Sequence, residues 1–82
     1  NHIFDYIELD EKHAIIEVAV PDSWQGHSIG ELDIRKKYGV NILGVKRENK
    51  TDVNISPETV LDADMTLLVL GENQKLKKHF RL

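Results

Sequence analysis

The stretch Ala14-Ile15-Ile16-Glu17-Val18-Ala19-Val20 decides the fold class, because it is rich in β-branched residues and stops at a proline. Ile16, Val18 and Val20 fall on one face of such a strand, and we expect this face to belong to the core. Residues 3–9 also favour a strand, and a short polar segment separates the two runs. The N-terminal part of the chain therefore predicts a β-hairpin.

Residues 28–38 carry the signals of a helix. Ser28 and Glu31 have the spacing of a capping box, in which each side chain bonds the backbone N–H of the other residue. Gly39 supplies the left-handed position that commonly ends a helix. Because a helix that ends in glycine can turn straight back, we expect Arg35 and Asn41 to lie close together.

Three further strands and a terminal helix are predicted after this turn. Strands are expected at residues 40–47 and 65–70, a short strand or extended piece at residues 52–55, and the helix at residues 74–80. The resulting order is β-β-α-β-β-β-α. It predicts an α+β fold with two layers, in which helices cover one face of a mainly antiparallel sheet.

Length and composition bound the class of protein. The chain has 82 residues, of which 40% are hydrophobic and 30% charged, as expected for one small folded domain. A domain of this size buries a modest share of its surface, so we expect help from a partner chain. The net charge of −3 argues against a general attraction to nucleic acid or to anionic membranes.

Other features of the composition point to a cytoplasmic protein. The chain has no cysteine, which excludes disulfides, thiolate metal sites and cysteine nucleophiles. No apolar run is long enough to span a membrane, and no signal peptide is visible. Because the sequence begins with Asn1 rather than methionine, we expect an excised domain of a longer protein.

The residue patterns that support catalysis are missing. No serine lies in a nucleophile elbow, and no glycine-rich phosphate loop is present. The histidines have no partner at a convincing metal-ligand spacing: His2, His13, His27 and His79. We therefore expect no enzyme activity, no catalytic residue, no metal and no resident cofactor.

The densest positive cluster is Arg35-Lys36-Lys37. Such a cluster is most often a solvated helix end, but an arginine also presents a planar fork that matches phosphate oxygens. Ile29, Ile42 and Pro57 are apolar residues near segment ends, where core packing is the ordinary interpretation. From these residues alone, the sequence predicts a small soluble α+β domain.

The order and spacing of these segments resemble a known family. The run SIGELDIRKKYGVNILGVKR at residues 28–47, followed by Pro57 and by the stretch LDADMTLLVLG at residues 61–71, is similar to the RCK-C domain, also called TrkA-C. This domain belongs to the regulatory subunits of bacterial Trk and Ktr potassium transporters. The resemblance extends over residues 3–80, so nearly the whole chain is expected to be one such domain.

The resemblance implies a role in potassium uptake. In this family the domain normally follows a Rossmann-like domain, which binds adenine nucleotides under the membrane channel subunit and has no counterpart in this chain. In the Ktr branch the C-terminal domains pair as a two-fold dimer, with cyclic di-AMP in the cleft between them as a regulatory ligand. By position, Arg35 and Asn41 would contact the phosphates, and Ile29, Ile42 and Pro57 would line the adenine pockets.

Two other functions stay open at this point. The chain is also compatible with a sensor of another small molecule, such as an amino acid, in which Arg35 is only a surface charge. It is equally compatible with a structural dimerisation module that binds no ligand.

Overall fold

The structure, a computed structural model, describes residues 3–81, which form five strands and three α-helices. In chain order these are β1 (Ile3–Glu8), β2 (His13–Ala19), α1 (Ile29–Leu32), α2 (Ile34–Tyr38), β3 (Asn41–Arg47), β4 (Lys50–Asp52), β5 (Thr66–Glu72) and α3 (Asn73–Phe80). A short 3₁₀ helix (Asp22–Trp24) lies between β2 and α1.

All five strands belong to one sheet with the order β1-β2-β5-β3-β4, and every neighbouring pair is antiparallel. The predicted α+β architecture is confirmed. The predicted order β-β-α-β-β-β-α is also observed when α1 and α2 are counted as one helical segment.

The core lies between one face of the sheet and the helices. Along β2 and β5, buried and partly exposed residues alternate, so that one face of each strand is fully covered. The expected core residues Ile16, Val18 and Val20 are at most 3% exposed, which confirms that prediction. From the helical layer, Leu76 and Phe80 of α3 are completely buried.

Aromatic side chains join the helical layer to the loop after β2. The ring of Trp24 packs against Tyr38 with centroids 5.0 Å apart and edge-on against Phe80 at 5.6 Å. These contacts tie the 3₁₀ helix to α2 and α3, and they leave Trp24 only 3% exposed. The loop residue Trp24 is thus an anchor against the core.

The single helix predicted over residues 28–38 is wrong in one respect, because Asp33 interrupts it. Asp33 has φ 50° and ψ 50°, so it ends α1 and starts α2 in the left-handed conformation. Aspartate adopts this conformation more readily than most residues. The local sequence pattern is helical throughout, and the break therefore reflects how the two short helices pack onto the sheet.

Of the short strand or extended piece predicted at residues 52–55, only Asp52 belongs to a strand. Glu48 and Asn49 both have positive φ, which makes a two-residue turn between β3 and β4. The hairpin partner of β3 consequently begins at Lys50 and ends at Asp52. Asparagine tolerates positive φ, and Asn49 therefore permits a tight turn directly after β3.

Residues 57–61 run alongside the start of α1 and hold it in place. The backbone N–H of Gly30 donates to Pro57 O at 2.8 Å, and that of Ile29 donates to Thr59 O at 2.9 Å. A Cβ atom on Gly30 would lie only 2.9 Å from Pro57 Cβ. The two segments therefore approach each other closely at Gly30.

We predict that Leu76→Ala lowers the free energy of unfolding by about 2–5 kcal/mol, because it leaves a cavity under a fully buried side chain. Urea denaturation at fixed protein concentration measures the change. The neighbouring exposed Lys77→Ala is the control, and it should stay within about 0.5 kcal/mol of the wild type. Equal effects of the two substitutions would contradict the assigned burial.

A second prediction concerns Gly30→Ala. In an ordinary helix this substitution stabilises by about 1 kcal/mol. Here the added methyl group would meet Pro57 Cβ at 2.9 Å and Pro57 O at 3.0 Å, so we expect a loss of about 1–3 kcal/mol instead. Thermal denaturation gives the sign of the stability change, with Glu58→Ala at an exposed residue as the control. A Gly30→Ala protein that is more stable than the wild type would refute the close contact.

Candidate ligand-binding cleft

A cleft of about 490 Å³ opens where α1 and α2 meet the first half of β3. This volume lies within the range that small-molecule sites occupy. The cleft is lined by residues of both helices, of β3 and of β5: Ile29, Gly30, Asp33, Ile34, Arg35, Val40, Asn41, Ile42, Leu43 and Leu70.

The cleft owes its position to an incomplete sheet edge. β4 pairs only with Val45, Lys46 and Arg47, the last three residues of β3. On that side the first half of β3 has no neighbouring strand among the described residues. Backbone and side chains of Asn41 and Ile42 therefore border the cleft rather than another strand.

Arg35 and Asn41 meet inside the cleft. Gly39 ends α2 with φ 70°, and its N–H donates to Arg35 O at 3.0 Å. This reversal brings Asn41 back beside the helix, where its Oδ1 accepts a hydrogen bond from Arg35 Nε at 2.8 Å. The predicted proximity of the two side chains is confirmed.

The contact with Asn41 leaves the guanidinium of Arg35 prepared for an anion. It uses only Nε, and neither Nη1 nor Nη2 has a hydrogen bond or an ion pair with a described residue. Arginine carries five donors in a fixed plane, so the two terminal nitrogens can still meet two oxygens of one phosphate. Asn41 fixes the orientation of that plane.

The remainder of the lining is mainly apolar. Ile34 and Val40 are buried at 4% and 0% exposure, whereas Ile29 and Ile42 are only partly covered. The cleft thus combines the exposed cation of Arg35 and the exposed carboxylate of Asp33 with aliphatic surface. An aliphatic wall can cover the flat face of a heterocyclic base without ring stacking.

Pro57 stands apart from the other four predicted site residues. Ile29, Arg35, Asn41 and Ile42 line the cleft together, but Pro57 does not line it. Instead Pro57 contacts Gly30 on α1, through the backbone hydrogen bond of 2.8 Å. In a single chain, Pro57 supports the wall of the cleft.

Six lining residues were not among the predicted site residues: Gly30, Asp33, Ile34, Val40, Leu43 and Leu70. The pairing of β3 with β5 shifts between Ile42 and Gly44, so Leu43 is an extra residue in the strand, with 38% of its surface exposed. Glycine inside a strand is a known sign of such a bulge, and Gly44 was the signal that could have revealed it.

The predicted capping box holds the start of the α1 wall. Ser28 Oγ accepts from the N–H of Glu31 at 3.1 Å, and the Glu31 carboxylate accepts from the N–H of Ser28 at 3.3 Å. His27 Nδ1 also hydrogen-bonds Glu31 at 2.8 Å. The bond from His27, followed by that from Ser28, holds the pKa of Glu31 below its ordinary value.

The histidines have other contacts in this structure. His13 Nδ1 lies 3.0 Å from Asp10, and His79 packs edge-on against Tyr38 at 5.0 Å. His2 lies outside the described residues. Within residues 3–81, no three histidine, aspartate or glutamate side chains come together as metal ligands. In the same range, no helix has the length and apolar character needed to cross a membrane.

Comparison with known proteins places these observations in a family. The model of the TrkA-C domain matches residues 13–82. Among curated proteins, Ktr system potassium uptake protein C of Bacillus subtilis (strain 168) is 35% identical over 71 residues, which cover 87% of this chain and 32% of the relative. The chain spans about a third of the length of the curated relatives that match most of it.

Two solved structures share the fold. The RCK C domain of the potassium transport protein KtrA, in complex with cyclic di-AMP, is 30% identical with a TM-score of 0.75, covering 84% of this chain and 81% of that one. The RCK_C domain dimer of S. agalactiae BusR, also in complex with cyclic di-AMP, is 25% identical with a TM-score of 0.65, covering 85% and 96%.

The family model spans most of the chain, and the same antiparallel sheet and helices occur in the solved relatives. On this evidence, the chain belongs to the TrkA-C domain family.

Proposed function

We propose that the chain is the cytoplasmic ligand-sensing domain of a potassium uptake system and binds cyclic di-AMP between two copies of itself. The observation that carries this proposal is the cleft in which Asn41 orients the free guanidinium edge of Arg35 beside aliphatic surface. The cyclic di-AMP complexes of two solved relatives support the same ligand.

The chemistry of the ligand fits the polar part of the cleft. Cyclic di-AMP has two phosphates and two adenines related by two-fold symmetry, and a two-fold dimer presents each residue twice in the same relation. One Arg35 from each protomer would then meet one phosphate. Charge-assisted hydrogen bonds of this kind contribute about 1.5–3 kcal/mol each.

The apolar part of the cleft fits the bases. Ile29 and Ile42 are only partly covered in the single chain, and they would pack on an adenine face. Leu43, at 38% exposure, extends this surface along β3. Pro57 would act from behind α1, by fixing Gly30 and therefore the position of Ile29. Burial of this aliphatic surface contributes about 25 cal/mol per Å².

Regulation would follow from the geometry of the dimer. A ligand that contacts both protomers favours the relative pose in which both contacts form, and it shifts the population toward that pose. A preceding nucleotide-binding domain would carry the change to the membrane channel subunit. The likeness to a potassium uptake protein of the Ktr system supports this partner.

We predict that Arg35→Ala weakens cyclic di-AMP binding about 100-fold or more, because each bound ligand loses its charge-assisted bonds on both sides. Arg35→Lys keeps the charge but loses the planar fork and the Nε bond to Asn41, so it should bind with intermediate affinity. Calorimetric titration measures the affinity, and the wild type should bind one ligand per two chains.

The control for this series is Lys50→Ala, on the distant strand β4, which should bind as the wild type does. Unchanged affinity in Arg35→Ala would reject the proposed phosphate contact. If Arg35→Ala instead separates the protomers in analytical ultracentrifugation, Arg35 is a structural residue of the dimer. No binding by a folded wild-type dimer would favour a sensor of another molecule or a dimerisation module.

Asn41→Asp tests the electrostatics at nearly constant shape. In the wild type, Arg35 Nε lies 2.8 Å from the amide oxygen of Asn41. The carboxylate of the variant can accept the same hydrogen bond, so the fold should be retained. Its negative charge would neutralise Arg35 and repel the phosphate, and we expect at least a tenfold loss of affinity. Tighter or equal binding in calorimetry would exclude a phosphate beside Asn41.

A further inference from the structure

The charges of this protein are strongly segregated. The two helices α2 and α3 contain no acidic residue, yet residues 34–38 and 73–81 hold seven of the 11 lysines and arginines. All 14 acidic residues lie elsewhere, together with only four basic ones. A chain with a net charge of −3 therefore carries most of its positive charge on two short helical segments.

The lysines of α2 and α3 form no ion pairs with described residues, although Lys77 shares a depression with Glu11 and Glu72, and Lys78 shares one with Asp22. We call Lys36 and Lys37 of α2, with Lys75, Lys77 and Lys78 of α3, the basic helix face. None of these five lysines is ion-paired with a described carboxylate. By contrast, Arg47 pairs with both Asp62 and Asp64, at 2.9 and 3.0 Å.

The positive charges of the basic helix face affect the pKa of His79 on α3. Burial lowers the pKa of His79, and the charges of Lys78 and Lys75 lower it further. A positive charge on His79 is thus disfavoured first by its burial and then by the two nearby lysines. An approaching anion would experience the opposite effect.

The basic helix face adjoins the cleft. Lys36 and Lys37 lie in the same helical turn as Arg35, which lines the cleft. The side chain of Lys75 runs beside Gly39, where an added Cβ would be 3.4 Å from Lys75 Cε. Gly39 is the residue that turns the chain back into the cleft at Val40.

We propose that the basic helix face captures the anionic ligand from solution and guides it to Arg35, so that it sets the rate of association. This inference rests on the proposed function, because it assumes that the ligand is a dianionic nucleotide. Such a ligand is repelled by the acidic remainder of the surface, and the basic helix face offers it an attractive approach. Fields of this kind raise association rates 10- to 1,000-fold.

The residue type favours guidance over tight holding. All five side chains are lysines, which act as mobile point charges and lack the planar fork that fixes a phosphate. The tight contacts are assigned to Arg35 and Asn41, which are oriented by their mutual hydrogen bond of 2.8 Å. Removal of the lysine charges should therefore slow association and leave dissociation unchanged.

The experiment compares two variants with the same net charge. Lys36→Gln combined with Lys37→Gln removes two charges beside the cleft. Lys50→Glu lowers the net charge by the same two units, far from the cleft. Lys50 pairs with Arg47, which lies five residues and about 17 Å along β3 from Ile42. Stopped-flow mixing with a fluorescent cyclic di-AMP analogue gives the association and dissociation rate constants at low salt and at 0.5 M salt. The higher salt concentration shortens the Debye length to about 4 Å, so that charges farther apart than this are largely screened from each other.

We expect the double lysine variant to associate about three- to tenfold more slowly at low salt, with its dissociation rate within about twofold of the wild type. High salt should abolish the difference, and Lys50→Glu should associate at close to the wild-type rate. An equal slowing in Lys50→Glu would mean that total charge matters rather than the basic helix face, and would overturn the inference.

Two further outcomes would also decide the matter. Faster dissociation in the double variant would make the lysines contact residues and overturn the guidance role. If the double variant associates at the wild-type rate while Arg35→Ala binds weakly, the inference fails and the proposed function stands. If the wild type binds no cyclic di-AMP, both fail together.

Discussion

The antiparallel pairing of β2 with β5 beneath α3 is the contact on which the other elements depend. Ile16 lies opposite Val69 and Val18 opposite Leu67, and these four side chains are fully buried. Leu76 and Phe80 of α3 cover the pair from the helical layer. β1 and β3 then add on either side, so every other strand takes its position from this central pair.

The cleft follows from how the sheet ends. β3 joins β5, but its own outer neighbour β4 is only three residues long and covers the far half of the strand. The first half of β3 stays open, and the left-handed turn at Gly39 lays α2 against it. Backbone bonds from residues 57–61 fix α1 at the opposite wall. The cleft is thus a gap in the sheet edge, and it results from the short length of β4 and the turn at Gly39.

The distribution of charge and the shape of the cleft both favour a small anionic ligand with apolar bases. A net charge of −3 disfavours anions in general, so an anionic ligand needs a local exception. The structure provides one, because Arg35 lines the cleft and residues 34–38 and 73–81 hold seven of the 11 lysines and arginines and no carboxylate. A small anion with apolar bases suits this surface better than a long polyanion, which would also meet the acidic surroundings.

The sequence by itself determined the features that depend on neighbouring residues. Alternation in β2, the capping box at Ser28 and Glu31, and the turn at Gly39 are set by local backbone and side-chain preferences, and they predicted the strands, the helix start and the meeting of Arg35 with Asn41. The fold class followed from these local signals, and four of the five site residues that the family resemblance implied line the cleft.

Only the tertiary structure decided the features that depend on distant contacts. The break at Asp33, the bulge at Leu43, the approach of Leu70 to the cleft and the position of Pro57 behind Gly30 all involve segments far apart in the chain. Local preferences permit the break at Asp33 and the bulge beside Gly44, but they do not specify either one, because the packing of distant segments against the core selects among the local alternatives. For that reason the sequence determined which residue types meet near the turn at Gly39, and the packing of the sheet determined the walls of the cleft around them.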